Sequence, residues 1–332
     1  MTSHDLISKI IRSNPITDQL ITRGRLLNEM IYHYRRFVRN FGRLGLKKNE
    51  KKFAADLRIR VHAIEKGLSL SNPRVGFGEE KVKTILDMIT YYKKNFSNDD
   101  FLDEVKSILY NYFDFQKSKN HENKELIEMF EDVFRSETFN KDIGGIKYLK
   151  KIDIDKTTSF DFGAFVNSRC AIRDFCNTPV DTELIRNALK IAEKTPSACN
   201  RQPWRVYIYR GKMKNDILKW QHGSMGFYEE IDTAILVCCN IQSYFMGEVN
   251  LPYVDGGLYA MTLIYALHSQ GLGTIPLTMG LGANNIKYLY KHFGIEDNEV
   301  PILLIGVGSL KDEFKVARSN RFPYDDYTTF MQ

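Results

Sequence analysis

The sequence predicts a mixed fold: a β-sheet sandwiched between helix layers, preceded by an all-helical region. Three observations carry that reading. Up to about residue 150, apolar residues recur at three- and four-residue intervals, as in Leu26, Leu27, Met30, Ile31, Tyr34, Phe37, Val38 and Phe41, the mark of one apolar helix face. Beyond Lys141 the texture changes and short apolar runs alternate with helical periodicity. Two of those runs, Ala234–Cys239 and Ile302–Val307, suit strands covered on both faces.

Taken in order, the periodicity predicts further helices at about 52–66, 79–95, 100–116 and 123–135. Asn72, Pro73, Arg74, Gly76 and Gly78 break the pattern into a loop, and a polar connection runs from Lys117 to Glu125. Asp153–Thr158 reads as a linker, with Ser159 or Asp161 placed to cap the helix that follows. Next come a helix at 181–194, a strand at 204–210, a short helix and a strand at 234–239. A buried helix at 255–270, a strand at 273–278, a helix at 284–293 and a strand at 300–309 complete the alternation. Gly306-Val307-Gly308 lacks the third glycine and the following helix of a dinucleotide loop, so it reads as the end of a strand. The expected organisation is a helical region over 1–150 and a second module over 151–332.

Composition narrows the class. The 332 residues include 43% hydrophobic and 12% aromatic residues, enough for a real core and against wholesale disorder. A net charge of +6 does not mark a nucleic-acid protein, although twelve Lys/Arg face three Asp/Glu between Arg23 and Arg60. Within that stretch Arg35, Arg39 and Arg43 share one helix face. It reads as a solvated face, as partners for the acidic helices after residue 99, or as a contact for anionic lipid or glycan phosphate. The five cysteines are odd in number and form no C-x-x-C pair, and no secretory leader opens the chain, so free thiols in a reducing cytoplasm are expected. They read as small buried hydrophobes, and no Cys/His cluster has metal-ligand spacing. From Gly256 to Ile286 there is no charged residue, yet His268, Ser269, Gln270, Gly271, Gly273 and Pro276 break the stretch; a buried helix and strand are expected, not a membrane span.

Two short segments carry the chemistry. In Ser168–Phe175 (SRCAIRDF), Arg169 and Arg173 are four residues apart, which is helical neighbour spacing, and paired forked cations suit phosphate or an electron-rich heterocycle. In Thr195–Trp204 (TPSACNRQPW), a non-helical turn around Pro196 presents Ser197 and Asn200 before the chain enters a strand. Donors on an irregular loop beside a basic helix end are what a flat, phosphorylated cofactor needs.

Together these segments resemble the FMN-dependent nitroreductase family, whose marks are an R-x-S-x-R-x-F start and a P-S-x-x-N-x-Q-P-W loop. The resemblance spans roughly residues 160–332 and implies an α+β fold, a nitroreductase-like helix/sheet/helix sandwich. It also implies a homodimer with two FMN sites at the subunit interface, each using the P-S-x-x-N loop of the other chain. Arg169, Cys170, Ala171 and Arg173 would line the cofactor, with Cys170 and Ala171 standing where the family prefers Arg or His and then Ser. Pro196, Ser197, Ala198 and Asn200 would reach it from the loop. Gly273–Gly280 resembles the family's G-L-G-(S/T)-x-x segment and makes Pro276, Leu277 and Thr278 ring neighbours. The tail ARSNRFPYDDY resembles the family's late basic element, making Arg321 a phosphate ligand with Arg318 as auxiliary and Ser319 in place of Lys.

The family implies NAD(P)H as donor, a small-molecule acceptor, ping-pong hydride transfer at flavin N5 and no catalytic side chain. Alternatives are a flavin-dependent dehydrogenase acting on a modified peptide or sugar, a reductive dehalogenase-like reaction, and a flavin-bound scaffold or redox sensor without catalysis. His62-Ala63-Ile64-Glu65-Lys66-Gly67-Leu68 is similar to the H-x-x-E-K-G-L element of a nitroreductase-like subgroup with an N-terminal helical extension, associated with cell-surface polysaccharide synthesis. His62 and Glu65 themselves read as a structural pair, with an acid/base role over the flavin open.

Overall fold

The helical region comprises α1 (Pro15–Asn40), α2 (Glu50–Leu68), α3 (Glu79–Asn95), α4 (Leu102–Ser118) and α5 (Lys124–Phe134). The structure is a computed structural model that describes residues 15–43, 45–96, 101–135 and 139–331. Residues 1–14 of the expected helical region, and residue 100 where a helix was expected to begin, lie outside the described residues. Helices α2 to α5 enclose a core of their own, built on Leu57, Ile64, Ile85, Leu86, Leu109 and Tyr112. Side chains cap α2 and α5: Asn49 accepts from the Lys52 amide at 3.1 Å and Asn123 from the Leu126 amide at 3.3 Å.

Helix α1 lies instead against the second half of the chain. Arg36, only 3% exposed, donates Nε to the Asp297 carbonyl and Nη2 to the Glu299 carbonyl, each at 3.0 Å. Arg39 pairs with Asp297 at 2.5 Å, so this member of the basic face meets the loop before the last strand and not the acidic helices after residue 99. Arg35 and Arg43 are exposed.

The stretch expected as a linker is largely helix. Helix α6 (Lys151–Thr157) closes on a Lys151–Asp155 pair one turn apart at 2.6 Å, and its residues are all exposed. Helix α7 (Phe162–Ser168) follows, and Asp161 caps it as predicted, accepting from the Ala164 amide at 2.8 Å.

Then come α8 (Thr182–Ala192), β1 (Trp204–Arg210), α9 (Gly211–Gln221), β2 (Thr233–Asn240) and α10 (Leu251–Ser269). The remaining elements are β3 (Leu272–Thr278), α11 (Ala283–His292) and β4 (Glu299–Ser309). The strands pair antiparallel in the order β1-β2-β4-β3. Along β2, Ala234, Leu236 and Cys238 enter one core while Ile235 and Val237 enter another, the two-residue alternation of a strand. Helices α9 and α11 supply Ile217, Leu218 and Leu289 to the first core; α8 and α10 supply Ile185, Ala188 and Leu263 to the second. A run apolar at every position is thus a strand buried on both faces, and the architecture is the α+β helix/sheet/helix sandwich with a helical N-terminal region.

Gly306 and Gly308 belong to the last residues of β4, which ends at Ser309 as the sequence reading expected. A Cβ at Gly306 would come within 2.8 Å of both Ile231 and Ile275, and one at Gly308 within 2.6 Å of the Phe175 ring, so close packing on the sheet requires both glycines. All five cysteines are free, but only Cys238 and Cys239 are fully buried; Cys170, Cys176 and Cys199 are half-buried. Burial pushes the Cys239 thiol up to about 12. At Cys176 the Thr178 hydroxyl and amide hold the thiol below its usual value. Among the described residues no helix is long and apolar enough to cross a membrane.

Candidate functional site

Arg169 and Arg173 do not share a helix face. Helix α7 ends at Ser168, Arg169 is already extended (φ −76°, ψ 116°), and the chain then runs beside β3. Ala171 bridges to Thr274, and the Ile172 amide donates to the Thr274 carbonyl at 2.9 Å. The reason is topological: β3 is an edge strand whose open backbone groups draw the segment into extended pairing. Buried Ile172 and Phe175 pin it to the core and leave Arg173 exposed. That pairing brings Arg169, half-buried Cys170, Ala171 and Arg173 to the strand that carries exposed Pro276, buried Leu277 and exposed Thr278.

Among the described residues Arg169 and Arg173 have no carboxylate partner, and Arg173 Nη1 reaches only the Ala171 carbonyl, at 3.5 Å. Beside Arg169 stands His268, whose Nε2 is 2.7 Å from Ser168 Oγ and whose ring lies 5.0 Å from that of Phe165. Burial, and then the charge of Arg169, hold the His268 pKa below its ordinary value.

The second motif is held rigidly. Ser197 Oγ accepts from the Gln202 amide at 2.9 Å, and Ala198–Asn200 forms a single 3-10 turn. Cys199 (φ 51°), Asn200 (φ 53°) and Gln202 (φ 49°) all occupy the left-handed region, an uncommon cluster for residues with side chains, and Pro196 is exposed beside them. Three residues that the motif reading missed maintain this shape. Asp255 accepts from the Ala198 amide at 3.1 Å through Oδ1, and from the Tyr244 hydroxyl at 2.8 Å through Oδ2. Arg201, its side chain 0% exposed, forks onto Glu248 at 2.7 and 3.0 Å and also donates to the carbonyls of Ala198 and Ser243, each at 2.8 Å. Burial pushes the Glu248 pKa up, but the Arg201 hydrogen bond and the Phe245 amide outweigh it and leave the carboxyl below its usual range. One signal was available, since Asp255 is the charge that immediately precedes the uncharged stretch.

Within one chain the two motifs lie apart. The loop is fastened at Asp255, near the start of α10, whereas Arg169 sits by His268, near its end. Thirteen residues of helix separate those positions by about 20 Å. The tail residues 311–331 are exposed and carry Arg318 and Arg321 on the surface. Arg321 donates to the Ser319 carbonyl of its own turn. Helix α10 is apolar on every side, yet Tyr253, Val254, Leu258 and Met261 are 48, 52, 46 and 37% exposed and form one outward stripe with Gly257.

The helical region reaches the loop. His62, Glu65 and Arg58 of α2 and Glu104 of α4 line a crevice with Cys199 and Asn200. His62 Nδ1 lies 3.0 Å from Glu65 Oε2, and Glu65 Oε1 accepts from the Gly145 amide at 3.0 Å. Burial raises the Glu104 pKa, with Arg58 and His62 opposing and Glu65 adding to the rise. Among the described residues no group of three or more His, Cys, Asp or Glu is placed to hold a metal ion.

The chain is similar to proteins named as nitroreductases. A model described as the nitroreductase family matches residues 166–242, which include both motifs and the first two strands. A protein of Methanothermobacter thermautotrophicus, provisionally named NADH dehydrogenase/NAD(P)H nitroreductase, is 24% identical over 163 residues, covering 49% of this chain and 84% of the relative. The provisionally named NAD(P)H nitroreductase YodC of Bacillus subtilis is 22% identical over 201 residues, covering 50% of this chain and 96% of the relative. Among solved structures, a provisionally named nitroreductase of Desulfovibrio desulfuricans in complex with FMN aligns with a TM-score of 0.45 and 21% identity, covering 53% of this chain and 99% of that one.

Proposed function

We propose that the chain is an FMN-dependent oxidoreductase, a cytoplasmic homodimer that uses NAD(P)H to reduce a small organic acceptor. The carrying observation is the placement of the two motifs at opposite ends of α10. Within one chain about 20 Å of helix separates them, whereas a second copy packed antiparallel on the outward apolar stripe of α10 would set one chain's loop beside the other's Arg169. The exposed, aromatic tail then has a partner surface to cover, carrying Arg318 and Arg321 with it.

The residues present fit the cofactor. Arg169 and Arg173 suit a phosphate and an electron-rich ring edge, and Arg321 can join them from the tail. The loop presents Ser197 and Asn200 as hydrogen-bonding groups, with Ala198 between them in the chain held by Asp255, and Pro276, Leu277 and Thr278 offer the backbone of an edge strand. Bound there, FMN would supply hydride chemistry through its N5. The chain's own groups bind the phosphate, orient the ring and exclude water from one face. We further propose residues 1–150 as a helical region and 151–332 as the flavin module, within the subgroup associated with cell-surface polysaccharide synthesis.

Purified protein is expected to be yellow or to take up FMN on reconstitution, to bleach anaerobically with NADH or NADPH, and to recolour with a quinone or nitroaromatic. Protein that stays colourless after reconstitution overturns the reading.

A further inference from the structure

Helices α1 and α11 come from opposite halves of the chain and face each other across a groove of ≈ 790 Å³. Three contacts tie its walls together. Glu29 Oε2 accepts the Ala283 amide at 2.8 Å, Lys287 Nζ lies 5.4 Å from the centre of the Tyr32 ring, and the Arg36 guanidinium lies 5.4 Å from that of Tyr290. Buried Arg36 is itself anchored on the carbonyls of Asp297 and Glu299, so the groove has a fixed base.

The groove is strongly positive. Arg35 and Arg39 stand one turn apart on α1, as do Lys287 and Lys291 on α11, which sets neighbours along each wall roughly 5–6 Å apart at Cβ. With Arg36, five cations line the groove against two carboxylates, Glu29 and Asp297. Glu29 is engaged with the Ala283 amide, and Asp297 pairs with Arg39 at 2.5 Å. Among the described residues Arg35, Lys287 and Lys291 pair with no carboxylate. A solvated basic face needs no opposing wall. Here two helices gather like charges around one space, and an anion seated between them relieves the repulsion. The volume is that of a small-molecule site, and Ile31 and buried Ile295 add an apolar lining that an inorganic ion does not use.

We propose that this groove binds a small organic diphosphate. Uncommitted cations on both walls match an anion whose charge is spread over two linked phosphates, with Arg35 forking onto phosphate oxygens and the two lysines acting as point charges. The organic group lies against Ile31 and Ile295. None of these residues belongs to the two flavin motifs, so the site stands independently of the FMN reading.

Calorimetric titration of the full-length protein, saturated with FMN, tests it. Inorganic pyrophosphate and adenosine diphosphate should each bind at least tenfold more tightly than inorganic phosphate. Arg35→Ala/Lys291→Ala removes one exposed cation from each wall and should weaken both diphosphates by about tenfold or more. Lys81→Ala/Lys124→Ala removes the same charge from exposed positions of the helical region and should bind them as the unaltered protein does, as should Arg169→Ala. Equal losses in the two double variants would mark attraction by net charge alone, and a loss confined to Arg169→Ala would place the diphosphate in the flavin's phosphate site. Either result, or no binding of the two diphosphates, overturns the proposal. Protein that takes up no FMN overturns the cofactor reading, while the same titrations still decide this one. Sedimentation with phosphatidylglycerol vesicles separates the other source of phosphate. Vesicle binding that Arg35→Ala/Lys291→Ala abolishes and pyrophosphate does not displace would assign the groove to a membrane surface and overturn the small-molecule reading.

Discussion

The Asp255 carboxylate accepts the Ala198 amide at 3.1 Å, so the start of α10 clamps the loop that presents Ser197 and Asn200. The same carboxylate takes the Tyr244 hydroxyl at 2.8 Å, tying the clamp into the buried wall of the domain. A loop held in left-handed conformations needs such over-determination, because its backbone alone does not favour that shape.

Removing the clamp should therefore cost both stability and cofactor. Asp255→Ala leaves the Ala198 amide and Tyr244 hydroxyl unpaired in a buried place, which costs about 1–3 kcal/mol. Asp255→Asn keeps one acceptor oxygen and should lose less. Urea denaturation and FMN fluorescence titration measure the two effects, and a variant with full flavin affinity and lowered stability would uncouple the clamp from the site.

Arg169→Ala should act on the cofactor alone. The side chain is half-buried and pairs with no carboxylate among the described residues, so thermal stability of the apoprotein should stay put. Losing a charge-assisted hydrogen bond to phosphate is expected to weaken FMN binding by about tenfold or more. Unchanged flavin occupancy after dialysis would remove Arg169 from the phosphate site.

Much of the fold was legible because strands and helices here follow local patterning. The four strands lie within one residue of their expected spans, since runs such as Ala234–Cys239 are too short and too uniformly apolar to be anything but sheet. What misled was spacing taken without topology. Arg169 and Arg173 sit at helical distance, but the open edge of β3, created by strands a hundred residues later, pulls their segment straight. Asp255, Arg201 and Glu248 escaped notice because each acts through a partner distant in sequence, and single-chain motifs do not record such pairs. The separation of the two motifs along α10 is likewise a property of three-dimensional placement.

Complementation tests the shared site. A chain carrying Arg169→Ala and another carrying Asn200→Ala are each expected to hold flavin poorly. After unfolding and joint refolding, random pairing makes half the dimers mixed, and each mixed dimer has one of its two sites free of both changes, so about a quarter of full occupancy should return. Recovery of none would place both motifs on the same chain's cofactor.

The Arg201–Glu248 fork predicts acid sensitivity. Breaking a pair whose guanidinium is fully buried, as in Glu248→Gln, is expected to cost roughly 3–5 kcal/mol at neutral pH. Because the folded carboxyl lies below its ordinary value of 4.5, the pair's contribution is complete above that pH and disappears as pH falls through the folded value. Melting temperatures of the variant and the unaltered protein should thus converge in acid; a constant gap would show that the loss is one of packing and not of charge.

His268 offers a pH readout of the phosphate itself. Burial first, then the charge of Arg169, keep its imidazole below the ordinary 6.5. A group that binds fewer protons when folded lends full stability above its unfolded value, and that stability is lost as pH falls from about 6.5 towards the folded value. A phosphate seated on Arg169 offsets the positive charge and adds a negative one, so FMN should raise the His268 pKa and shrink the acid loss. Riboflavin carries the same ring without the phosphate and should leave His268 where it was. Ring-proton titrations of the apoprotein with each flavin make the comparison. Equal His268 values with both flavins, each shown to be bound by absorbance, would move the phosphate away from Arg169 and with it the orientation of the whole cofactor.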